Sequence, residues 1–143
     1  MAEYNSEIKV IPYSDMDIFT VLSDLNNLEL VKDKIPQDKI KDFSFDRDSC
    51  TITVDPVGKV RFNVIERKPN ELIKFQGEQL PFGITLNVHL KRIDDNQTEM
   101  DIKLFADLNP FLKPMLSKPL QQGLDKISET LAILPYDEIL NNK

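Results

Sequence analysis

The chain has no tryptophan, one cysteine, one histidine and four glycines among 143 residues. A lone cysteine, Cys50, excludes an intramolecular disulfide and fits a reducing compartment. One histidine and one cysteine on separate segments give no ligand spacing for a metal ion, so neither a metal nor a cofactor is expected. No apolar run is long enough to span a bilayer. The opening MAEYNSEIKV lacks both the basic start and the apolar stretch of a secretory leader. Lysines and arginines do not cluster with interleaved aromatics, and the net charge is −6. That balance argues against a nucleic-acid partner and against charge-driven docking on anionic lipid. The expectation is a cytoplasmic protein with no nucleic acid and no integral membrane association, folding as one domain over 1–143.

What is present changes period partway along. SEIKVIPY (6–13) alternates and reads as a first strand with Ile8 and Val10 inward, ended by Pro12. Ser14-Asp15-Met16-Asp17 has the form of a capping box and opens a short helix burying Ile18, Phe19 and Leu22. A second short helix starts at Ser23 or Asp24, with Leu25, Leu28 and Val31 at helical spacing, and Pro36 stops it. From about residue 40 the period is two. Phe43, Phe45, Cys50, Ile52, Val54, Val60, Phe62 and Val64 take one face, continued by Ile73, Phe75, Ile84, Leu86, Val88, Leu90, Met100, Ile102, Leu104 and Ala106. DPVG (55–58), KPNE (68–71) and DDNQ (94–97) supply turns, so the strands form an antiparallel meander with one apolar face.

That face needs a cover. Leu116, Leu120, Leu124, Ile127, Leu131 and Leu134 fall at steps of three and four, the stripe of a C-terminal helix ended by Pro135. Ahead of it, LNPFLKPMLSKPLQQGLDKI (108–127) holds three prolines. Proline is tolerated in a helix's first turn, and Ser117 is a good cap for a helix with Pro119 there. The spacing predicts a bend or break near Pro114 to Pro119. The apolar residues of this entry segment either cap the core or form a mobile lip at a cavity mouth.

Strand, two short helices, six-stranded meander and long C-terminal helix: this order resembles the α+β helix-grip fold of the START-like, or SRPBCC, superfamily. That superfamily includes birch-pollen-allergen-like proteins and the polyketide cyclase/dehydrase family. VIERKPNELIKF (64–75) looks like the acidic-Pro-Asn hairpin of bacterial members, and FLKPMLSKPLQQGLDKI (111–127) like their entry into the gripping helix. The resemblance implies a curved sheet of about seven strands wrapped around the helix, with a cavity between them for a lipid, sterol or polyketide-like molecule. The four glycines leave little room for the glycine-rich loop of plant members.

With such a cavity, the ligand-binding candidates on the strands are Phe62, Val64, Phe75, Leu86, Val88, Met100, Ile102 and Leu104. The entry segment adds Phe111, Met115 and Leu116, and the helix adds Leu120, Leu124 and Ile127. Glu66 has inward parity near a strand end, and Tyr13 and Tyr136 offer hydroxyls near the cavity ends; these three are the candidate polar pocket groups. His89 lies on the outer face with Asn87 and Lys91, so a Ser-His-Asp arrangement has no usable imidazole. Cys50, inward at a strand start with no basic neighbour, reads as a small buried filler. No catalytic residue is assigned. The expected function is non-catalytic binding or transport of a small hydrophobic ligand by a monomer or weak dimer. The alternatives are a cyclase- or hydratase-like enzyme using Glu66 or Tyr136, and an interaction module whose phenylalanines fill the cavity.

Overall fold

The computed structural model describes residues 2–34, 40–54, 58–78 and 80–141. Pro36, residues 55–57 of the expected DPVG turn, and the side chains of Val31 and Val54 lie outside the described residues. The meander is β3 (Ile40–Phe45), β4 (Ser49–Val54), β5 (Gly58–Lys68), β6 (Leu72–Glu78), β7 (Ile84–Asp94) and β8 (Gln97–Ala106), each antiparallel to the next. Asn70 at φ 65° allows the Lys68–Glu71 turn, where the Glu71 N–H donates to the Lys68 carbonyl.

The first strand differs from expectation. It is split into β1 (Ala2–Asn5) and β2 (Lys9–Ile11), both paired with β8, which brings the described sheet to eight strands. Asn5 lies opposite Lys103 and Lys9 opposite Met100, four steps against three. The extra residue flips the facing of everything after it. Ile8 and Val10 are therefore 64% and 56% exposed, and Ile11 is the buried residue. Ser6 bridges the break: its N–H donates to the Ile102 carbonyl, and its hydroxyl oxygen accepts the Ile102 N–H at 2.9 Å.

α1 (Asp15–Leu22) begins as expected, with the Ser14 hydroxyl accepting the Asp17 N–H, and it buries Ile18, Val21 and Leu22. The second helix, Leu25–Lys34, is a 3-10 helix. Here side chains compete for backbone groups: the Asp24 carboxylate takes the Asn26 N–H, and the buried Asn27 amide donates to the Val21 carbonyl.

Of the bend or break expected at the prolines, the break is absent. α2 (Leu112–Ile133) runs through both Pro114 and Pro119 without a break. It starts earlier than expected because the Asn109 side-chain oxygen accepts the N–H groups of Phe111 and Leu112, each at 2.9 Å. Pro114 then falls in the first turn, where an amide would lack an intrahelical partner anyway. Ser117 is not a cap; it lies inside the helix, its hydroxyl bonded to the Lys113 carbonyl and the Tyr4 hydroxyl. After Pro135 the chain does not simply end but forms α3 (Tyr136–Asn141), which packs on α1 and the 3-10 helix and buries Tyr136 and Ile139. Among the described residues, no helix is long and apolar enough to cross a membrane.

Candidate functional site

α2 rests on β1, β2 and β8, at one side of the sheet. Between its C-terminal half and the middle strands lies a cavity of about 100 Å³. Phe62, Phe75, Leu86 and Val88 on β5, β6 and β7 form its sheet wall, with Ile52 and Cys50 from β4 and Phe43 and Phe45 from β3. Ile127, Thr130, Leu131 and Leu134 close it from the helix side. Leu22 at the end of α1, with Leu25 and Leu28 of the 3-10 helix, forms the remaining wall. A smaller apolar space of about 30 Å³ lies beside it, between Val60, Ile84, Leu104, Leu120 and Leu124, and shares Ile52, Phe62 and Ile127 as a partition.

Of the candidates, Phe62, Phe75, Leu86, Val88 and Ile127 meet at the larger cavity, and Leu104, Leu120 and Leu124 at the smaller. Met100, Ile102 and Leu116 are buried in the core and line neither, and Val64 is half-buried against it. Phe111 and Met115 lie on the surface, 84% and 66% exposed. They project from the opposite end of α2 from the cavity-lining residues, so the entry segment does not form the cavity's lip.

The polar candidates are also displaced, for a single geometric reason. β5 carries an extra residue at Ile65: Val64 pairs with Phe75, and Glu66 with Lys74. Beyond it the facing flips, so Glu66 points outward to an ion pair with Lys74 at 3.7 Å. Arg67 takes the position opposite buried Ile73. Its guanidinium donates to the Ser23 carbonyl at 2.9 Å and to Asp48 at 2.6 Å, and reaches the Arg47 carbonyl at 3.4 Å. The Leu25 N–H also donates to Arg47, and the Phe45 N–H to the Glu29 carboxylate. These bonds tie the start of the 3-10 helix, one wall of the cavity, to the β3–β4 turn. The parity count missed Arg67, and nothing in the local sequence marks the bulge.

Tyr136 is fully buried, and its hydroxyl donates to the Leu131 carbonyl. Its ring meets Tyr13 edge-on, with centroids 5.6 Å apart. Burial, then the neighbouring Tyr13, raises the Tyr136 pKa; burial and the Asp137 carboxylate raise that of Tyr13. Neither side chain lines the cavity. His89 is half-buried on the outer face, opposite Leu72 and Asp101.

Cys50 faces the cavity, and burial pushes its thiol up to about 12, with the Asp46 carboxylate adding to the shift. Asp46 is itself held below the usual carboxylate range, first by the Ser49 hydroxyl that donates to it at 2.7 Å. The Thr130 hydroxyl is engaged by the Lys126 carbonyl at 2.7 Å. Among the described residues the lining is thus hydrocarbon apart from one protonated thiol and one satisfied hydroxyl. Among the described residues, no group of three or more His, Cys, Asp or Glu could hold a metal ion.

Solved structures share this architecture across nearly the whole chain. A START superfamily protein from Mycobacterium smegmatis matches with a TM-score of 0.67 at 14% identity, covering 99% of each chain. Norcoclaurine synthase from Thalictrum flavum, in complex with dopamine and hydroxybenzaldehyde, matches with a TM-score of 0.70 at 13% identity over 99% of this chain and 88% of its own. A protein from Thermus thermophilus matches with a TM-score of 0.63 at 15% identity, covering 99% of each chain. No protein-family model matches the sequence, and no curated protein does.

Proposed function

We propose that this chain, whose fold is the START-like helix grip, binds a small neutral hydrophobic molecule in the cavity beside the 3-10 helix and performs no chemistry on it. One observation carries the reading: among the described residues, thirteen hydrocarbon side chains, Cys50 and Thr130 line the space, and no ionised group does. A carboxylate or ammonium placed there would lose its hydration and find no partner. An uncharged ring or short chain loses little and gains roughly 25 cal/mol for each Å² of apolar surface removed from water. A volume of about 100 Å³ is on the scale of a single aromatic ring.

An enzyme reading needs an acid, base or nucleophile at the bound molecule. Glu66 faces solvent, the Tyr136 hydroxyl is spent on a carbonyl, and the Cys50 thiol is held protonated. The free thiol suits a reducing compartment such as the cytoplasm.

The test is ligand-observed NMR with toluene and benzoate, which share a ring and differ in charge, run on the parent and on Cys50→Phe. Toluene is expected to bind the parent, benzoate not, and the folded variant neither, because the added ring occupies the cavity. Equal binding of both probes, or undiminished toluene binding by the variant, overturns the reading.

A further inference from the structure

A polar groove of about 330 Å³ lies between α2 and the break that separates β1 from β2. It shares no lining residue with either apolar space. Glu7 and Lys9 belong to its strand wall, and Gln121, Asp125, Ser128 and Glu129 form its helix wall. Steps of four, three and one keep those four on one side of α2. Most polar groups here are engaged. The Gln121 amide donates to the Asn5 carbonyl at 3.0 Å and to the Asp125 carboxylate at 2.9 Å. The Lys9 ammonium pairs with Glu7 at 3.3 Å, and Lys126 reaches Glu129 at 3.8 Å. Ser128 is the exception. It is 1% exposed, and its hydroxyl has no hydrogen-bond partner among the described residues. Ser117 and Thr130 in the same helix each donate to the carbonyl four residues back. Ser128 forgoes that bond while lining the groove, so its hydroxyl is left for a partner there.

A buried hydroxyl without a partner loses its hydration for nothing. Asp125 and Glu129, one helical turn apart, also repel each other. One chemical group relieves both: a primary ammonium, whose three N–H donors match two carboxylates and a hydroxyl. We infer that this groove binds a small organic primary ammonium ion, held by Asp125, Glu129 and the Ser128 hydroxyl. Three carboxylates against one ammonium line the groove, which disfavours an anion. Among the described residues, no three His, Cys, Asp or Glu side chains are grouped to hold a metal ion. A neutral polar molecule would leave the repulsion between Asp125 and Glu129 in place. Glu7 and Glu129 are exposed, so the attachment is weak and weakens further with salt. This inference is independent of what the apolar cavity holds.

The experiment is titration of the isotope-labelled chain with propylammonium chloride at low ionic strength, read as shifts of backbone amide signals. Parallel titrations use 1-propanol, tetramethylammonium chloride and magnesium chloride. Propylammonium is expected to move the amides of Glu7, Asp125 and Ser128, and the other three to leave them in place. Ser128→Ala and Asp125→Asn should each weaken propylammonium binding about tenfold. Ser128→Ala should also leave thermal stability unchanged or raise it, because the deleted hydroxyl bonds nothing within the fold. No shift with propylammonium, or shifts untouched by both substitutions, overturns the inference. Equal shifts with tetramethylammonium overturn it too, since that ion has the charge without the N–H donors. Shifts with magnesium that Asp125→Asn abolishes would assign the groove to a metal ion instead. A clear loss of stability in Ser128→Ala would show that the hydroxyl serves the fold, against the inference.

Discussion

Cys50 is the sole cysteine and lines the cavity, so alkylation reads that site alone. Its thiol moves from 9.0 to about 12, first because burial disfavours the thiolate and then because Asp46 repels it. The thiolate is the nucleophile. A shift of about three units therefore cuts its population about a thousandfold at any pH below the unfolded value. The assay is mass-resolved carbamidomethylation of Cys50 by iodoacetamide, in the folded chain and in urea, from about pH 8 to pH 11. In urea the rate should level off near the ordinary thiol range. In the folded chain it should be about a thousandfold slower and still climb about tenfold per pH unit at the alkaline end. A folded-state rate within tenfold of the urea rate, or one that levels off near 9, would refute the claim that the cavity is a low-polarity space.

The same shift makes a stability prediction. The folded state holds the thiol proton more tightly than the unfolded state, so the effect is absent below the unfolded pKa. As pH rises above it, the unfolded chain releases its proton and stability falls by about 1.4 kcal/mol per unit, until the folded pKa is reached. Parent and Cys50→Ala should thus show parallel stability profiles below about pH 9 and converge or cross above it. The difference between the two isolates Cys50 from Tyr136 and Tyr13, whose pKa values are also raised.

Arg67→Ala removes the bonds to Ser23, Arg47 and Asp48, and should cost about 1 kcal/mol in urea unfolding, since the guanidinium is partly solvated. Hydrogen exchange at the Leu25 amide should quicken at the same time; an unchanged Leu25 amide would mean the 3-10 helix is held by other contacts. Ser6→Ala strands the Ile102 N–H at the strand break and should cost about 1–3 kcal/mol; a loss under about 0.5 would show that the amide finds another partner. Gly77→Ala would place a Cβ 2.1 Å from Cγ2 of Ile84, a side chain stiff at χ1, and a loss of about 1–3 kcal/mol in thermal unfolding is expected, with no loss arguing that β6 and β7 separate easily.

The architecture is legible because it depends on periods that local sequence carries: two from Phe43 to Ala106, and three to four from Leu116 to Leu134. Errors enter where a strand gains one residue relative to its partner. The extra residues at Glu7–Ile8 and at Ile65 exist only in the pairing with β8 and β6. A count along one strand therefore carries Ile8, Val10 and Glu66 inward and leaves Arg67 unnoticed. The prolines mislead for a different reason. Pro114 looks like a breaker only if the helix starts at Ser117, and the Asn109-Pro110 pair already marks an earlier start. Pro135 ends one helix and leads into another, with Asp137 and Glu138 in the new first turn, a signal that is present in the sequence. The cavity's position cannot be read from sequence at all. A stripe on α2 shows which face is apolar, but which of its residues meet the cavity is decided only when the helix is set against the sheet.

The cavity has a thermodynamic consequence. An empty apolar void of about 100 Å³ costs about 2 kcal/mol at 24 cal/mol per Å³. A larger residue at position 50 or 130 would remove that cost without disturbing any hydrogen-bond ladder. A ligand offsets the same cost by linkage: present at about a hundred times its Kd, it stabilises the folded chain by about 2.7 kcal/mol. The cavity is nevertheless smaller than the 300–1,000 Å³ typical of ligand sites, so anything beyond one ring must move a wall. The strands share a continuous ladder and α2 is anchored at both ends by buried leucines, Leu116 and Leu134. The 3-10 helix is the remaining wall, tied at its start by the Arg67 bonds and the Leu25 amide. Ligand size and Arg67 are therefore coupled: Arg67→Ala should raise the affinity for a two-ring hydrocarbon such as naphthalene relative to toluene. An unchanged ratio would refute the coupling between ligand size and Arg67.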